Sequence, residues 1–187
     1  MPVNIDGGEV AWTAKTSVAS TVETTIKKTG AGSAKHVIAA GFTTGLVSTY
    51  DFDALDLSHY DGVVFWIRSD TTLASGVLRL VLDNTAASAS PLETLTIPAL
   101  TANTWKLVGL TFADGDADGM DSIISVGLDA ASDPGAITVY VDMITAVKRV
   151  CGVRNLEAPT NKSRGLHPHH PLTAKYGVVG VFSGTSP

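Results

Sequence analysis

Gly62-Val63-Val64-Phe65-Trp66-Ile67-Arg68-Ser69 is the stretch that decides the fold. Successive side chains of an extended strand point to opposite faces, so Val63, Phe65 and Ile67 share one side. That set is wholly apolar and belongs in a core. Val64, Trp66 and Arg68 share the other side, which sets an indole beside a guanidinium on an outer surface. Val77–Asp83 repeats the pattern, with Leu78, Leu80 and Leu82 inward and Val77, Arg79, Val81 and Asp83 outward.

Outward from these two strands the chain reads as strand after strand. Ser17–Lys28, Ala34–Ala40, Leu46–Phe52, Leu92–Ile97, Thr104–Phe112, Ile123–Leu128 and Ala136–Ile144 are each rich in β-branched or alternating apolar residues. In Leu46–Phe52 the alternation groups Leu46, Ser48, Tyr50 and Phe52 on one side. Gly30-Ala31-Gly32, Ser75-Gly76, Asp114-Gly115-Asp116 and Asp133-Pro134-Gly135 supply turn chemistry between strands. Short strands at ~8–12-residue spacing, with no helical pattern between them, predict a sandwich or barrel. Leu55–Ser58 and Gly119–Ser122 each have room for one helical turn. Trp12 and Trp105 are assigned to the core.

Composition narrows the function classes. Charged residues make up 17% of the 187-residue chain and aromatics 6%, leaving a surface of Thr, Ser, Ala and Gly that suits packing against other molecules. Apolar stretches are strand-sized, far below the ~20 residues of a spanning helix. The start, Met1-Pro2-Val3-Asn4-Ile5-Asp6, lacks the basic and apolar regions of a secretory signal. Cys151 is the single cysteine, so no disulfide forms within the chain, and synthesis in a cytoplasm is expected.

Charge is unevenly placed. Residues 148–187 hold six basic side chains, Lys148, Arg149, Arg154, Lys162, Arg164 and Lys175, against one acid, Glu157. The rest of the chain holds 7 basic and 17 acidic residues. The division predicted is therefore a β-sandwich over 1–147 and an extended basic C-terminal arm over 148–187, which docks on an acidic surface.

Four segments resemble the jelly-roll sandwiches of carbohydrate-binding modules. They are Gly30-Ala31-Gly32-Ser33-Ala34-Lys35-His36-Val37, Leu55-Asp56-Leu57-Ser58-His59-Tyr60 running into Asp61–Ser69, Asn103-Thr104-Trp105-Lys106-Leu107-Val108, and Val139-Tyr140-Val141-Asp142-Met143-Ile144. They fall in the family's order over residues 10–147. The same galactose-binding-like sandwich, in Thr/Ala-rich form, is similar to what tailed-bacteriophage virion proteins carry. The resemblance implies an all-β jelly roll of two antiparallel sheets. It also implies a structural calcium, shared by an early acid, Asp6 or Glu9, and Asp142 of the last strand. The alternative for Asp142 is a strand-end carboxylate bonding a turn amide. The family's aromatic sugar platform is thin here, and the basic arm is not part of a carbohydrate module.

Trp66, Arg68 and Arg79 form the candidate platform. A sugar stacks its C–H face on the indole while guanidinium groups donate to its hydroxyls. The plainer reading has Trp66 covered by a loop, the arm or another subunit. Asp114–Gly119 opens like an EF-hand, but Ser125 stands where the bidentate Glu is needed and a strand follows, so that reading is rejected. His167, His169 and His170 lack a fourth ligand for a transition metal.

Catalytic motifs are missing, and the basic arm has no interleaved aromatics for nucleic acid. The expected protein is therefore not an enzyme. The leading expectation is a homo-oligomeric capsid decoration (cement) protein, made in a host cytoplasm, located on the virion and partnered by major capsid or other virion proteins. Neither nucleic acid nor membrane is an expected partner. The alternative is a carbohydrate-binding module or tail-associated receptor-binding protein that recognises glycans.

Overall fold

The computed structural model describes residues 1–113 and 119–148. These residues form eleven strands: β1 (Val3–Asp6), β2 (Thr13–Ala14), β3 (Val18–Glu23), β4 (Ser33–Ile38), β5 (Gly45–Leu55), β6 (Gly62–Ser69), β7 (Leu78–Asp83), β8 (Glu93–Thr96), β9 (Lys106–Thr111), β10 (Ile123–Ala130) and β11 (Ile137–Val147). Single 3-10 turns lie at Ala86–Ser88 and Met120–Ser122. The second is the turn expected at Gly119–Ser122. Leu55–Ser58 forms no helical turn, because Leu55 is the last residue of β5.

All strand pairs are antiparallel. One sheet runs β3-β4-β11-β6-β9, with β1 added along β11, and the other runs β2-β5-β10-β7-β8. Consecutive strands β6 and β7 therefore belong to different sheets. This is the all-β sandwich of two antiparallel sheets that the resemblance implies, and one of the two architectures the strand spacing predicts.

The core lies between the sheets. Val63, Phe65 and Ile67 of β6 meet Leu78, Leu80 and Leu82 of β7, with Val126, Leu128, Val139, Val141 and Ile144 filling in, and all are buried. Each such side chain contributes about 1.5–3 kcal/mol by leaving water.

His36 of β4 also points inward and is fully buried. Its Nδ1 pairs with Ser48 Oγ at 2.9 Å, Trp12 packs on its ring edge-on at 5.1 Å, and Nε2 has no partner. Burial lowers its pKa to about 3, so the ring is neutral in the fold.

Four register shifts interrupt the described ladders, and two of them decide which way predicted residues face. On β5, Leu128 faces Ser48 and Asp129 faces Leu46, so Val47 is an extra residue. Leu46 is thereby turned to the outer side, away from Ser48 and Tyr50, which corrects the grouping of all four residues on one face. On β11, Asp142 pairs with Trp66 and Thr145 with Val64, and Met143 takes the left-handed conformation at φ 53°. The bulge leaves Asp142 facing outward while Ile144 turns inward.

Candidate functional site

Because β4, β11, β6 and β9 are neighbours, their outward residues line up across the six-stranded sheet. Lys35 lies opposite Tyr140, and Tyr140 opposite Arg68. In the next row Asp142 lies opposite Trp66, and Trp66 opposite Leu107. Trp105 continues the outward parity of β9, and its ring lies 6.4 Å from Tyr140, tilted by 58°.

Cations cap these rings. Lys28 Nζ sits 4.5 Å from the Trp66 centroid. Arg68 Cζ is 5.3 Å and Lys35 Nζ 5.9 Å from the Tyr140 centroid. Arg68 Nη2 also donates to Asn103 Oδ1 at 2.8 Å. Trp66 and Trp105 are half-buried, Tyr140 is 6% exposed and Leu107 51% exposed.

Trp105 therefore belongs to this outer face, not to the core. With Val108 inward, the opposite parity, 107 and 105, points outward, and that signal was present in the sequence. Trp12 is core as expected, with its Nε1 donating to Asp6 Oδ2 at 2.9 Å. Tyr140, Lys28, Lys35 and Asn103 escaped the sequence reading. Tyr140 had a signal too, since Val139 and Val141 point inward around it.

The predicted platform is divided by the fold. Trp66 and Arg68 share the face just described, whereas Arg79 is on β7 and faces outward from the other sheet. Its Nε donates to Asp129 Oδ2 at 2.7 Å. Alternation says which side of a strand faces out, but not which sheet the strand joins.

That second outer face is occupied by its own chain. Residues 84–90 fold back onto it, with Ala87 N–H donating to Asp51 Oδ1 at 2.7 Å and Ser90 N–H to Asp83 Oδ2 at 2.7 Å. Ser88 N–H donates to Ser125 Oγ at 3.1 Å, and Ser125 Oγ donates to the Thr85 carbonyl at 2.7 Å. Its outward strand residues are Thr, Asp, Ser, Gly, Val and Arg together with Leu46, with no aromatic ring among them.

Asp142 is fully buried beneath the first face and works as a clasp. Its Oδ2 accepts from Lys28 N–H at 2.6 Å and Thr29 N–H at 3.0 Å, and its Oδ1 accepts from Thr29 Oγ1 at 2.8 Å. This holds the loop that carries Lys28 over Trp66. Asp6 Oδ1 accepts from Gly8 N–H at 3.1 Å, and Glu9 Oε1 accepts from Ala31 N–H at 2.8 Å.

Burial raises the Asp6 pKa above the usual carboxylate range. Bonds from Trp12 and Gly8 oppose that rise, and the nearby Asp142 and Glu9 charges add to it. A calcium ion takes six to eight oxygen ligands. Every carboxylate oxygen of Asp6 and Asp142 already accepts from an N–H or O–H, and among the described residues no three His, Cys, Asp or Glu converge as metal ligands. The bonds to Asp142 are those of the turn-amide alternative.

Of the arm, only Lys148 lies among the described residues, with its Nζ 5.1 Å from the Tyr60 centroid. Arg149, Arg154, Lys162, Arg164 and Lys175, the histidines at 167, 169 and 170, Cys151 and the acidic residues 114–118 lie outside them.

No family model and no curated protein matches the chain. Solved structures do. A family 11 carbohydrate-binding module from Clostridium thermocellum, in complex with a β-1,3-1,4-mixed-linked tetrasaccharide, aligns with a TM-score of 0.56 and 15% identity over 80% of this chain and 96% of that one. A family 30 module of a cellulosomal cellulase of Clostridium thermocellum aligns with a TM-score of 0.51 and 16% identity over 80% and 98%. The CBM22-1 and GH10 modules of a Clostridium thermocellum xylanase, complexed with xylohexaose, align with a TM-score of 0.53 and 13% identity over 78% of this chain and 28% of that one. At these identities the likeness is one of fold, and the fold is the jelly-roll β-sandwich of carbohydrate-binding modules.

Proposed function

We propose that the sandwich binds glycans, without catalysis, on the outer face of its six-stranded sheet. One observation carries the reading: a fold shared with carbohydrate-binding modules presents Trp66, Trp105 and Tyr140 together on one outer face, ringed by N–H donors. Indole faces stack on the apolar C–H side of sugar rings, while Arg68, Lys28 and Asn103 supply donors to the ring substituents. The hydrogen-bonded ladder of β11, β6 and β9 holds these groups in place before binding, which lowers the entropy lost on association. The opposite face supports no such reading, because residues 84–90 already use its polar groups.

The test is a glycan array followed by calorimetry on the best ligand. Trp66→Ala is expected to weaken binding at least tenfold while leaving the melting temperature within about 2 °C, because Trp66 is outside the core. Absence of any bound glycan, or a Trp66→Ala variant that binds normally, contradicts the proposal.

A second reading, a capsid decoration part on a virion, has one observation in its favour. The cationic stretch 148–187 contrasts with an acidic body, as a docking strap would. Deleting 150–187 and finding particle assembly unchanged would remove it.

A further inference from the structure

We infer that the glycan taken by this face is acidic: a polysaccharide whose rings carry carboxylate or sulfate groups. The inference rests on the glycan-binding reading and narrows its ligand.

Residues 1–147 contain only seven cationic side chains: Lys15, Lys27, Lys28, Lys35, Arg68, Arg79 and Lys106. Three of the seven, Lys28, Lys35 and Arg68, stand over aromatic rings of this one face. On a body otherwise rich in acids, that concentration gives the face a sign opposite to its surroundings.

Two of the negative charges near it, Glu23 and Asp142, are already committed, while Asp70 Oδ1 is buried without a hydrogen-bond partner. Glu23 pairs with Lys35 at 3.3 Å. Asp142 is buried under the face, with both oxygens held by the 28–29 loop. Asp70 follows Arg68 at the end of β6 but forms no ion pair with it. Among the described residues neither Lys28 nor Arg68 has a carboxylate partner.

Arg68 spends one donor on the neutral Asn103 amide and keeps the rest of a guanidinium's five N–H groups. A planar guanidinium with free donors matches a carboxylate or sulfate in a two-pronged bond. A sugar that reaches Trp66 also meets the Lys28 ammonium at the ring. Arg79 is the internal contrast: it faces the other way and is neutralised by Asp129.

The experiment uses the full chain and two pairs of probes in affinity electrophoresis. Polygalacturonate is set against its methyl-esterified form, and sulfated dextran against dextran. The acidic member of at least one pair is expected to bind at least tenfold tighter than its neutral counterpart. Which pair responds separates carboxylate from sulfate recognition. The preference is expected to fall as salt rises from about 50 to about 300 mM, where screening shortens to a few ångströms.

Combined Lys28→Gln and Arg68→Gln should erase the preference, and combined Lys162→Gln and Arg164→Gln should leave it. Equal binding of acidic and neutral forms, still lost in Trp66→Ala, overturns this inference and leaves the glycan reading standing. Binding to none of these probes, nor to any glycan on an array, overturns both. A preference lost only in the 162/164 variant assigns it to the C-terminal stretch and overturns the inference. So does a single-stranded oligonucleotide that competes for the face equally well.

Discussion

The two outer faces of this sandwich come from the same alternating pattern, yet they end in opposite conditions. On the five-stranded sheet the chain folds residues 84–90 over its own strands, and the polar groups of Asp51, Asp83 and Ser125 are used up internally. On the six-stranded sheet the 28–29 loop covers only Asp142 and the edge of Trp66, and Trp66, Trp105, Tyr140 and Leu107 share a surface with cations. The comparison teaches that a functional face is recognised less by its residue types than by whether its donors and rings still have capacity to spare.

Both faces depend on the core they share, and acid should remove them together. His36 is buried neutral with a pKa of about 3, against 6.5 for the unfolded chain. A depressed folded pKa means the stability is present above 6.5 and is lost as pH falls toward 3. One proton at about 1.4 kcal/mol per pH unit gives a loss of about 3 kcal/mol by pH 4.5. Thermal melts between pH 7 and 4.5 check this. His36→Leu, whatever its absolute stability, should lack the part of the slope between pH 6.5 and 5, where carboxylates contribute little. An equal slope in the variant rejects the assignment.

Asp142→Ala is aimed at the open face. Two amide N–H groups and a hydroxyl lose their acceptor, and stability should fall by about 2 kcal/mol. Because the clasp also places Lys28, glycan affinity should fall with it. A chelator should leave the wild-type melting temperature unchanged. A drop of several degrees on chelation would restore the calcium reading of Asp6, Glu9 and Asp142.

Gly127→Val is aimed at the covered face. A Cβ there meets Val81 Cγ2 at 2.8 Å, Ser88 Oγ at 3.0 Å and Leu46 Cδ2 at 3.1 Å. Overpacking of this kind costs about 1–3 kcal/mol. Denaturant melts should show that loss while glycan binding is unchanged. Loss of binding in this variant would mean that the faces are not independent.

The smallest effect is expected from Arg79→Gln. Its ion pair with Asp129 is partly exposed, so the variant should lose less than about 1 kcal/mol and bind glycan normally.

Much of this was legible in the sequence because the signal was strong where burial is one-sided. Gly62–Ser69 matches β6 in both bounds, and the leucines of Val77–Asp83 lie in the core as alternation requires. The tryptophans divide the lesson. Trp66 was read from its neighbours and placed correctly, whereas Trp105 was read from its residue type and misplaced. Arg79 failed for a different reason. Strands adjacent in sequence enter different sheets, and that crossover is a property of the topology, invisible to any local period.

Leu46 was lost to one inserted residue, Val47, which reverses parity without changing composition. The 84–90 cover was not legible at all, because it depends on bonds such as Ala87 to Asp51 that span 36 residues. β1 and β2 are four and two residues long, too short for a period to emerge.

The most direct measurement is a titration followed by the indole N–H resonances of the three tryptophans. Trp66 and Trp105 should shift together as glycan is added, while Trp12, buried against Asp6, stays fixed. Stationary Trp66 and Trp105 signals, with shifts instead at the backbone amides of Arg79, Thr94 or Thr96, would place binding on the other sheet and contradict the account.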